Sequence, residues 1–233
     1  NSEFIEYAFQ VDDKQYFYPA STIKLPIVVL TLQRLNELRN ESFDINVESK
    51  ISISAQETKK EERSFKDLIA KVFLVSDNSA SNVLINFLGY NYFNEEMNKI
   101  GLSNIVLNHK FNPDPFVNNN WKIINEEGKI ISSSLSQKTI EHKGITNLKQ
   151  GKTQIINGEK MESPLDFRFK NRGSLRDLDG VIKRIIYPEL FDEKSRFNLT
   201  DEDYNFLRYW MSRFTYEDVG REYPKDSVYF DSY

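Results

Sequence analysis

The segment from residue 64 to 89 constrains the fold more than any other part of the sequence. Two strongly apolar stretches, LIAKVFLV and SASNVLINFL, are separated by the polar residues Ser76, Asp77 and Asn78. Apolar residues at helical spacing predict a helix on each side of this interruption. Gly89 is typical of a residue that ends a helix. The sequence therefore predicts a pair of helices with three polar side chains at its junction.

A second informative segment is YPASTIKLPIVVLTLQRL, residues 18–35, where Ser21 and Lys24 precede a long apolar run. Apolar spacing predicts a mostly buried helix from Ser21 to about Leu38. Residues three apart on a helix share a face, with Cβ atoms about 5–6 Å apart. A lysine held against apolar surface loses its preference for the charged form, and a neutral amine can take a proton from serine. This pattern indicates a nucleophilic serine that needs no histidine.

Each of these motifs also has a purely structural interpretation. Lys24 could be a surface lysine beside an N-capping Ser21, and Asp77 or Ser76 could simply cap the second helix. In the catalytic interpretation, Ser76 passes a proton to the leaving group and Asn78 contacts the substrate amide. Asp77 fixes the loop. The apolar run LPIVVL after Lys24 favours the catalytic interpretation, because an idle lysine is costly to bury there.

The other elements are predicted from periodicity and turn residues. A strand is expected over residues 3–11, EFIEYAFQV, and QYFY at 15–18 is expected to pair back on it after a turn at DDK. Residues 40–63 are polar and turn-rich, and no element is predicted there. Further helices are expected at 94–100, 174–186 and 200–214, the last capped by Thr200 and Asp203.

Residues 110–160 have little periodicity, and we interpret them as an insertion that contains a hairpin of WKIIN and KIISSS joined by EEG. The chain order is thus strand, helices, insertion and more helices. Such segregation predicts an α+β fold, with a sheet packed against helices and a helical subdomain.

Composition excludes several classes of function. The formal net charge of −4 and the pI near 5.4 give no basic surface for nucleic acid. No run of 18 apolar residues occurs, so no membrane span is expected. The chain has no cysteine, and only His109 and His142 are available as imidazoles. We therefore expect no metal ion, no cofactor and no histidine-based triad.

The motif S-x-x-K followed by S-D-N is the signature of class A β-lactamases and penicillin-binding proteins. FYPASTIKLPIVVLTLQRL resembles the nucleophile helix of the class A β-lactamase family. FKDLIAKVFLVSDNSASNVLINFLG resembles its S-D-N segment, including Asn82 in the run SDNxAxN. NLTDEDYNFLRYWM resembles a later helix of that family. The resemblance covers about residues 15–105 well and 170–214 loosely.

By this resemblance the fold is β-lactamase or transpeptidase-like, with an antiparallel sheet and an all-helical subdomain. Ser21 would be the acylated nucleophile, Lys24 its base and Ser76 the proton shuttle. Asn78 would contact the substrate, and Asp77 would support the loop. The family's deacylating glutamate lies in E-x-x-L-N, to which ESPLD, beginning at Glu162, is the nearest match.

The sequence departs from the family in its later part. No K-S-G or K-T-G occurs, and the strands that carry this motif in the family have no counterpart before the chain ends at Tyr233. We therefore expect residues 1–233 to form a single domain that is incomplete at both ends, with 110–160 inserted in it. The resemblance implies a periplasmic or secreted serine hydrolase, acylated by a β-lactam or related amide. It also implies a monomer whose partner is a small-molecule substrate. The alternatives are a penicillin-binding or peptidase-like enzyme that deacylates slowly, and a non-catalytic relative that binds a partner.

Overall fold

The computed structural model describes residues 5, 7–41, 43–54, 60–111, 121–124, 130–133, 138–156 and 158–217. The helices in these residues are α1 (Lys24–Asn40), α2 (Phe65–Val75), α3 (Asn78–Leu88), α4 (Tyr90–Lys99), α5 (Leu175–Ile186) and α6 (Asp201–Met211). The strands are β1 (Lys50–Ser54), β2 (Lys60–Ser64), β3 (Trp121–Ile124), β4 (Ile130–Ser133), β5 (Lys149–Gln150), β6 (Gln154–Ile156), β7 (Glu159–Met161) and β8 (Leu165–Asp166). Short 3-10 turns occupy Ala20–Ile23 and Pro188–Leu190.

The described residues form two compact units. The first, the α1 unit, comprises described residues within 24–89, 110–135 and from 197 onward, and it holds α1, α2, α3, α6 and β1 to β4. The second, the α5 unit, comprises those within 1–23, 90–109 and 136–196, and it holds α4, α5 and β5 to β8.

Helix α1 is the centre of the α1 unit, because it is buried on nearly every side. Its polar residues are therefore bonded inside the unit, as buried polar groups require. Gln33 accepts a hydrogen bond from the backbone N–H of Asn198 at 3.0 Å. Asn36 donates to Asp203 at 2.6 Å. Asp203 also belongs to the capping box with Thr200, so α6 begins where the sequence predicted and is fastened to α1 by its first turn.

The sheet of the α1 unit is antiparallel throughout, with the strand order β2-β1-β3-β4. The pairing of β3 with β4 confirms the predicted strands of the hairpin; its EEG connection lies outside the described residues. Strands β1 and β2 were not predicted, since they fall in the stretch 40–63 that was expected to be irregular. Ile51 of β1 lies opposite Ile123 of β3, and both are fully buried. This apolar pair joins the two hairpins.

In the α5 unit, hydrogen bonds from asparagine side chains to the backbone connect segments that are not joined by long strands. Asn94 donates to the carbonyl of Leu107 at 3.0 Å and accepts from its N–H at 2.9 Å. Asn108 makes the same two bonds with Ile140, at 2.7 and 2.8 Å. In each case one amide side chain pairs with one backbone residue as a neighbouring strand would.

Two sequence predictions about the α5 unit are wrong. Residues 5 and 7–11 contain no strand; residues 3, 4 and 6 of that predicted strand lie outside the described residues. The side chains of Ile5, Tyr7 and Phe9 are 80%, 93% and 81% exposed, so the aromatic pattern packs against little. The segment 15–18 does not pair back on it either. Its contacts are isolated bridges, from Gln15 to Thr146 and from Phe17 to Gly173.

The predicted helices are confirmed with small shifts of their ends. The predicted segment 64–89 forms α2 and α3, and Gly89 ends α3 as expected, with a positive φ of 73° that suits glycine. In the part of the chain that the structure describes, no helix combines the length and the apolar character needed to cross a membrane. The α+β fold class is confirmed.

Candidate active site

The polar junction between α2 and α3 is a tight two-residue link. Ser76 ends α2 in the left-handed conformation, with φ 54° and ψ 39°, and its N–H is bonded to the carbonyl of Val72 at 3.1 Å. Such a conformation costs a non-glycine residue about 1–2 kcal/mol. Asp77 then caps α3 by accepting from the N–H of Ala80 at 2.6 Å, and Asn78 is the first residue of α3. The chain thus reverses its course over Ser76 and Asp77, as the structural interpretation of these residues expected.

The same junction also binds Lys24, the first residue of α1. The Lys24 side chain enters the α1 unit, and the residue is only 3% exposed. Its Nζ donates to Asn78 Oδ1 at 2.7 Å, to Ser76 Oγ at 3.1 Å and to the Ser76 carbonyl oxygen. These three acceptors use all three hydrogens of an ammonium group. The capping and catalytic interpretations of the S-D-N residues are therefore compatible.

Burial and charge act in opposite directions on Lys24. Burial lowers the pKa of Lys24 from its ordinary value of 10.5, and the negative charge of Asp77 raises it less strongly. When the amine is neutral it keeps two hydrogens and one lone pair. The carbonyl oxygens of Ser76 and Asn78 can only accept, so they retain the two hydrogens. The lone pair is then available to a hydroxyl group, and this is what a base for serine requires.

Phe111 covers the Lys24 amine from another side. Lys24 Nζ lies 4.7 Å from the centre of the Phe111 ring, and Phe111 is 8% exposed. The backbone of Phe111 is held by Asn82 of α3, whose amide donates to the Phe111 carbonyl at 2.7 Å and accepts from its N–H at 2.8 Å. Sequence reasoning did not identify Phe111. The one available signal was Asn82 in the run SDNxAxN, which says nothing about its partner.

Ser21 lies in the 3-10 turn that leads directly into α1, and its side chain is exposed. The neighbouring Thr22 donates its hydroxyl hydrogen to the Pro19 carbonyl at 2.5 Å, which closes this turn. The hydroxyl of Ser21 is therefore accessible from solvent.

Glu162 follows β7 in the α5 unit. Its side chain is 74% exposed, and its carboxylate forms an ion pair with Lys160 at 2.8 Å. This environment is that of an ordinary surface acid. The assignment of Glu162 as a deacylating base remains a prediction.

The two histidines differ in environment. His142 is 5% exposed, its Nε2 lies 2.7 Å from the carbonyl oxygen of Lys170, and burial lowers its pKa. His109 stacks on Tyr18, with the ring centres 6.1 Å apart. In the described residues, no group of three or more histidines and acids is arranged to hold a metal ion.

Two of the solved structures that are similar to this chain are β-lactamases. The crystal structure of the TLA-3 extended-spectrum β-lactamase matches with a TM-score of 0.50 at 16% identity, over 91% of this chain and 62% of that one. The β-lactamase from Sphaerobacter thermophilus DSM 20745 matches over 48% of this chain and 46% of that one, with 22% identity and a TM-score of 0.37. No curated protein matches the chain. The chain thus spans less than two thirds of the TLA-3 structure.

A family comparison covers most of the chain. The family described as the β-lactamase enzyme family matches residues 5–198, which include the S-x-x-K serine and lysine and the S-D-N junction. At this coverage the family assignment is established, and the predicted resemblance is confirmed: the chain belongs to the β-lactamase enzyme family.

Proposed function

We propose that this protein is a serine hydrolase of the class A β-lactamase type, in which a β-lactam or a related amide acylates Ser21. The observation that carries this proposal is the environment of Lys24. A lysine that is 3% exposed, bonded to Ser76 and Asn78, and shifted by burial toward its neutral form is equipped to accept a proton. The alternative interpretation, a surface lysine beside a helix-capping serine, does not account for this burial or for these hydrogen bonds.

The proposed acylation begins with Lys24 as the base. Its lone pair takes the proton of the Ser21 hydroxyl while Ser21 Oγ attacks the carbonyl carbon of the amide. The carbon–nitrogen bond then breaks, and the leaving nitrogen takes the hydroxyl proton of Ser76. Ser76 recovers a proton from the Lys24 ammonium, 3.1 Å away. The products of this step are an ester on Ser21, an amine and a neutral Lys24, so protons and bonds balance.

Slow deacylation is the second candidate, and the environment of Glu162 favours it. A deacylating base must hold one water molecule in a fixed position beside the acyl ester. The Glu162 side chain is 74% exposed and its carboxylate is paired with Lys160, which is the environment of an ordinary surface acid. In this version the protein forms an acyl-enzyme that persists, as in a penicillin-binding protein. By family resemblance we place either activity outside the cytoplasm, where β-lactams and cell-wall peptides are found.

The test is the intact mass of the protein after incubation with benzylpenicillin and with a chromogenic cephalosporin. Ser21→Ala removes the proposed nucleophile. Thr22→Val is the matched control, because it removes the neighbouring exposed hydroxyl of the same turn. We expect an adduct on the wild type and on Thr22→Val, and none on Ser21→Ala.

The time course separates the two versions of the function. An adduct that clears while the drug is consumed supports a lactamase, whereas an adduct that persists supports a penicillin-binding protein. Equal adduct formation on Ser21→Ala would show that Ser21 is not the nucleophile. No adduct and no hydrolysis with either compound would reject β-lactams as substrates.

A further inference from the structure

Asn78 and Asn82 lie four residues apart on α3, so they face the same side of that helix. Asn78 binds the Lys24 amine at 2.7 Å. Asn82, one turn later, holds the backbone of Phe111 by two bonds of 2.7 and 2.8 Å. One helix face therefore fixes both the amine and the ring that lies 4.7 Å from it.

The surroundings of the Lys24 amine leave little room for water. Two carbonyl oxygens and one hydroxyl take its hydrogens, and the Phe111 ring lies over it. Lys24 and Phe111 are 3% and 8% exposed. The negative charge of Asp77, at the start of α3, acts on Lys24 and raises its pKa.

We propose that Phe111 is a positioning residue whose ring, clamped by Asn82, keeps water away from the Lys24 amine and so prolongs the life of the acyl-enzyme. This inference rests on the proposed function, and it selects the version with slow deacylation. It attributes slow deacylation to the aromatic ring that covers Lys24, in addition to the exposed position of Glu162.

The chemical reason lies in the deacylation step. Hydrolysis requires a water oxygen to attack the ester carbonyl carbon, after which the bond from that carbon to Ser21 Oγ breaks. One water proton must leave during the attack, and Ser21 Oγ must gain one. Neutral Lys24 could pass this proton from the water to Ser21, but only if a water molecule reached its lone pair. The Phe111 ring blocks that approach.

The first experiment measures the titration of Lys24 and uses no substrate. Lysine labelled with carbon-13 at Cε is followed by NMR against pH, and the spectrum of Lys24→Met identifies the Lys24 signal. Phe111→Ala opens the site to water, so we expect the Lys24 titration to move to higher pH. Phe111→Leu is the matched control, since it keeps an apolar cover, and it should titrate near the wild type. An unchanged titration in Phe111→Ala overturns the proposal.

The wild type supplies a second readout if Phe111→Ala does not fold. The Nζ hydrogens of Lys24 should exchange with water much more slowly than those of Lys160, whose side chain is 66% exposed. Equal exchange rates at the two lysines would overturn the proposal without any variant.

The last measurement follows the adduct formed with benzylpenicillin. We expect it to clear roughly tenfold faster in Phe111→Ala than in the wild type or in Phe111→Leu, since a positioned base contributes about 100-fold or more when water can reach it. Equal lifetimes would overturn the role in deacylation. A wild type that forms no adduct would instead overturn the proposed function, and the Lys24 titration would still decide whether Phe111 keeps the amine dry.

Discussion

Replacing Asn82 by alanine removes the clamp on Phe111. The Asn82 amide is 4% exposed and forms both of its bonds with the backbone of Phe111. Alanine can form neither bond. The substitution therefore leaves one N–H and one carbonyl oxygen without their partner in a buried position, and it loosens the ring that covers Lys24.

The magnitude follows from these two groups. A buried donor or acceptor that loses its partner costs about 1–3 kcal/mol, so the two together cost about 2–6 kcal/mol. Alanine is a better helix former than asparagine by roughly 0.5 kcal/mol, which offsets a small part of the loss on α3. We expect the free energy of unfolding to fall by about 2–5 kcal/mol.

The assay is urea denaturation, combined with the NMR titration of Lys24. Asn94→Ala is the matched control, because Asn94 makes the same pair of bonds with Leu107 in the α5 unit. Both substitutions should lower stability. Only Asn82→Ala should move the Lys24 titration to higher pH, because only this clamp holds a ring over the amine.

Two results would refute this reasoning. A loss of less than about 0.5 kcal/mol in Asn82→Ala would mean that the two backbone groups find other partners at no cost. A Lys24 titration that moves equally in Asn82→Ala and Asn94→Ala would mean that general loosening, and not the position of Phe111, sets the pKa of Lys24.

Four further predictions concern Lys24, the S-D-N junction and Glu162. Asp77→Asn keeps a good helix cap but removes the charge that raises the pKa of Lys24, so the pH dependence of adduct formation should move to lower pH; a move to higher pH would contradict this. Because burial holds the pKa of folded Lys24 below 10.5, the unfolded chain binds more protons between these two pKa values, and the free energy of unfolding should rise with pH in that window. Lys24→Met should abolish that rise, as denaturation at several pH values would show. Ser76→Ala and Ser76→Gly should both slow adduct formation. The glycine variant should be more stable than the alanine variant by up to about 1–2 kcal/mol, because glycine adopts the left-handed conformation freely. Equal stability of the two variants would argue against backbone strain at Ser76. Glu162→Gln should change stability by less than about 1 kcal/mol and leave the adduct lifetime unaltered, since it breaks only an exposed pair with Lys160; a longer lifetime would make Glu162 the deacylating base.

The helices could be predicted from the sequence because their signals are local. Periodic apolar residues and the cap residues Asp77 and Thr200 lie within a few residues of the ends that they determine. Strand β2, KEERS, could not be predicted in this way, since its residues are nearly all charged and its position depends on pairing with β1. The predicted strand at 3–11 failed for the opposite reason. Its aromatic pattern is strong, yet its described part pairs with no strand.

The candidate site shows the same division. The burial of Lys24 could be predicted because the apolar run that follows it forms a buried helix, and Lys24 is the first residue of that helix. Its partners Ser76 and Asn78 lie 52 and 54 residues away. The polar interruption marked them as candidate site residues, but no local pattern showed that they bind Lys24. Phe111 could not be identified at all. Its role arises from a bond to Asn82 across 29 residues, a distance that no local pattern can report.

The asparagine clamps have a consequence for how this protein opens. Asn82 holds Phe111, Asn94 holds Leu107 and Asn108 holds Ile140, each by one side chain without a continuing ladder. Opening the Asn82 clamp breaks two bonds and leaves the Asn94 and Asn108 clamps intact, so the backbone at Phe111 can open locally. A reagent that reaches Lys24 by displacing Phe111 therefore need not wait for the α1 unit to unfold. We therefore expect access to the buried amine to depend on the lifetime of the Asn82–Phe111 pair.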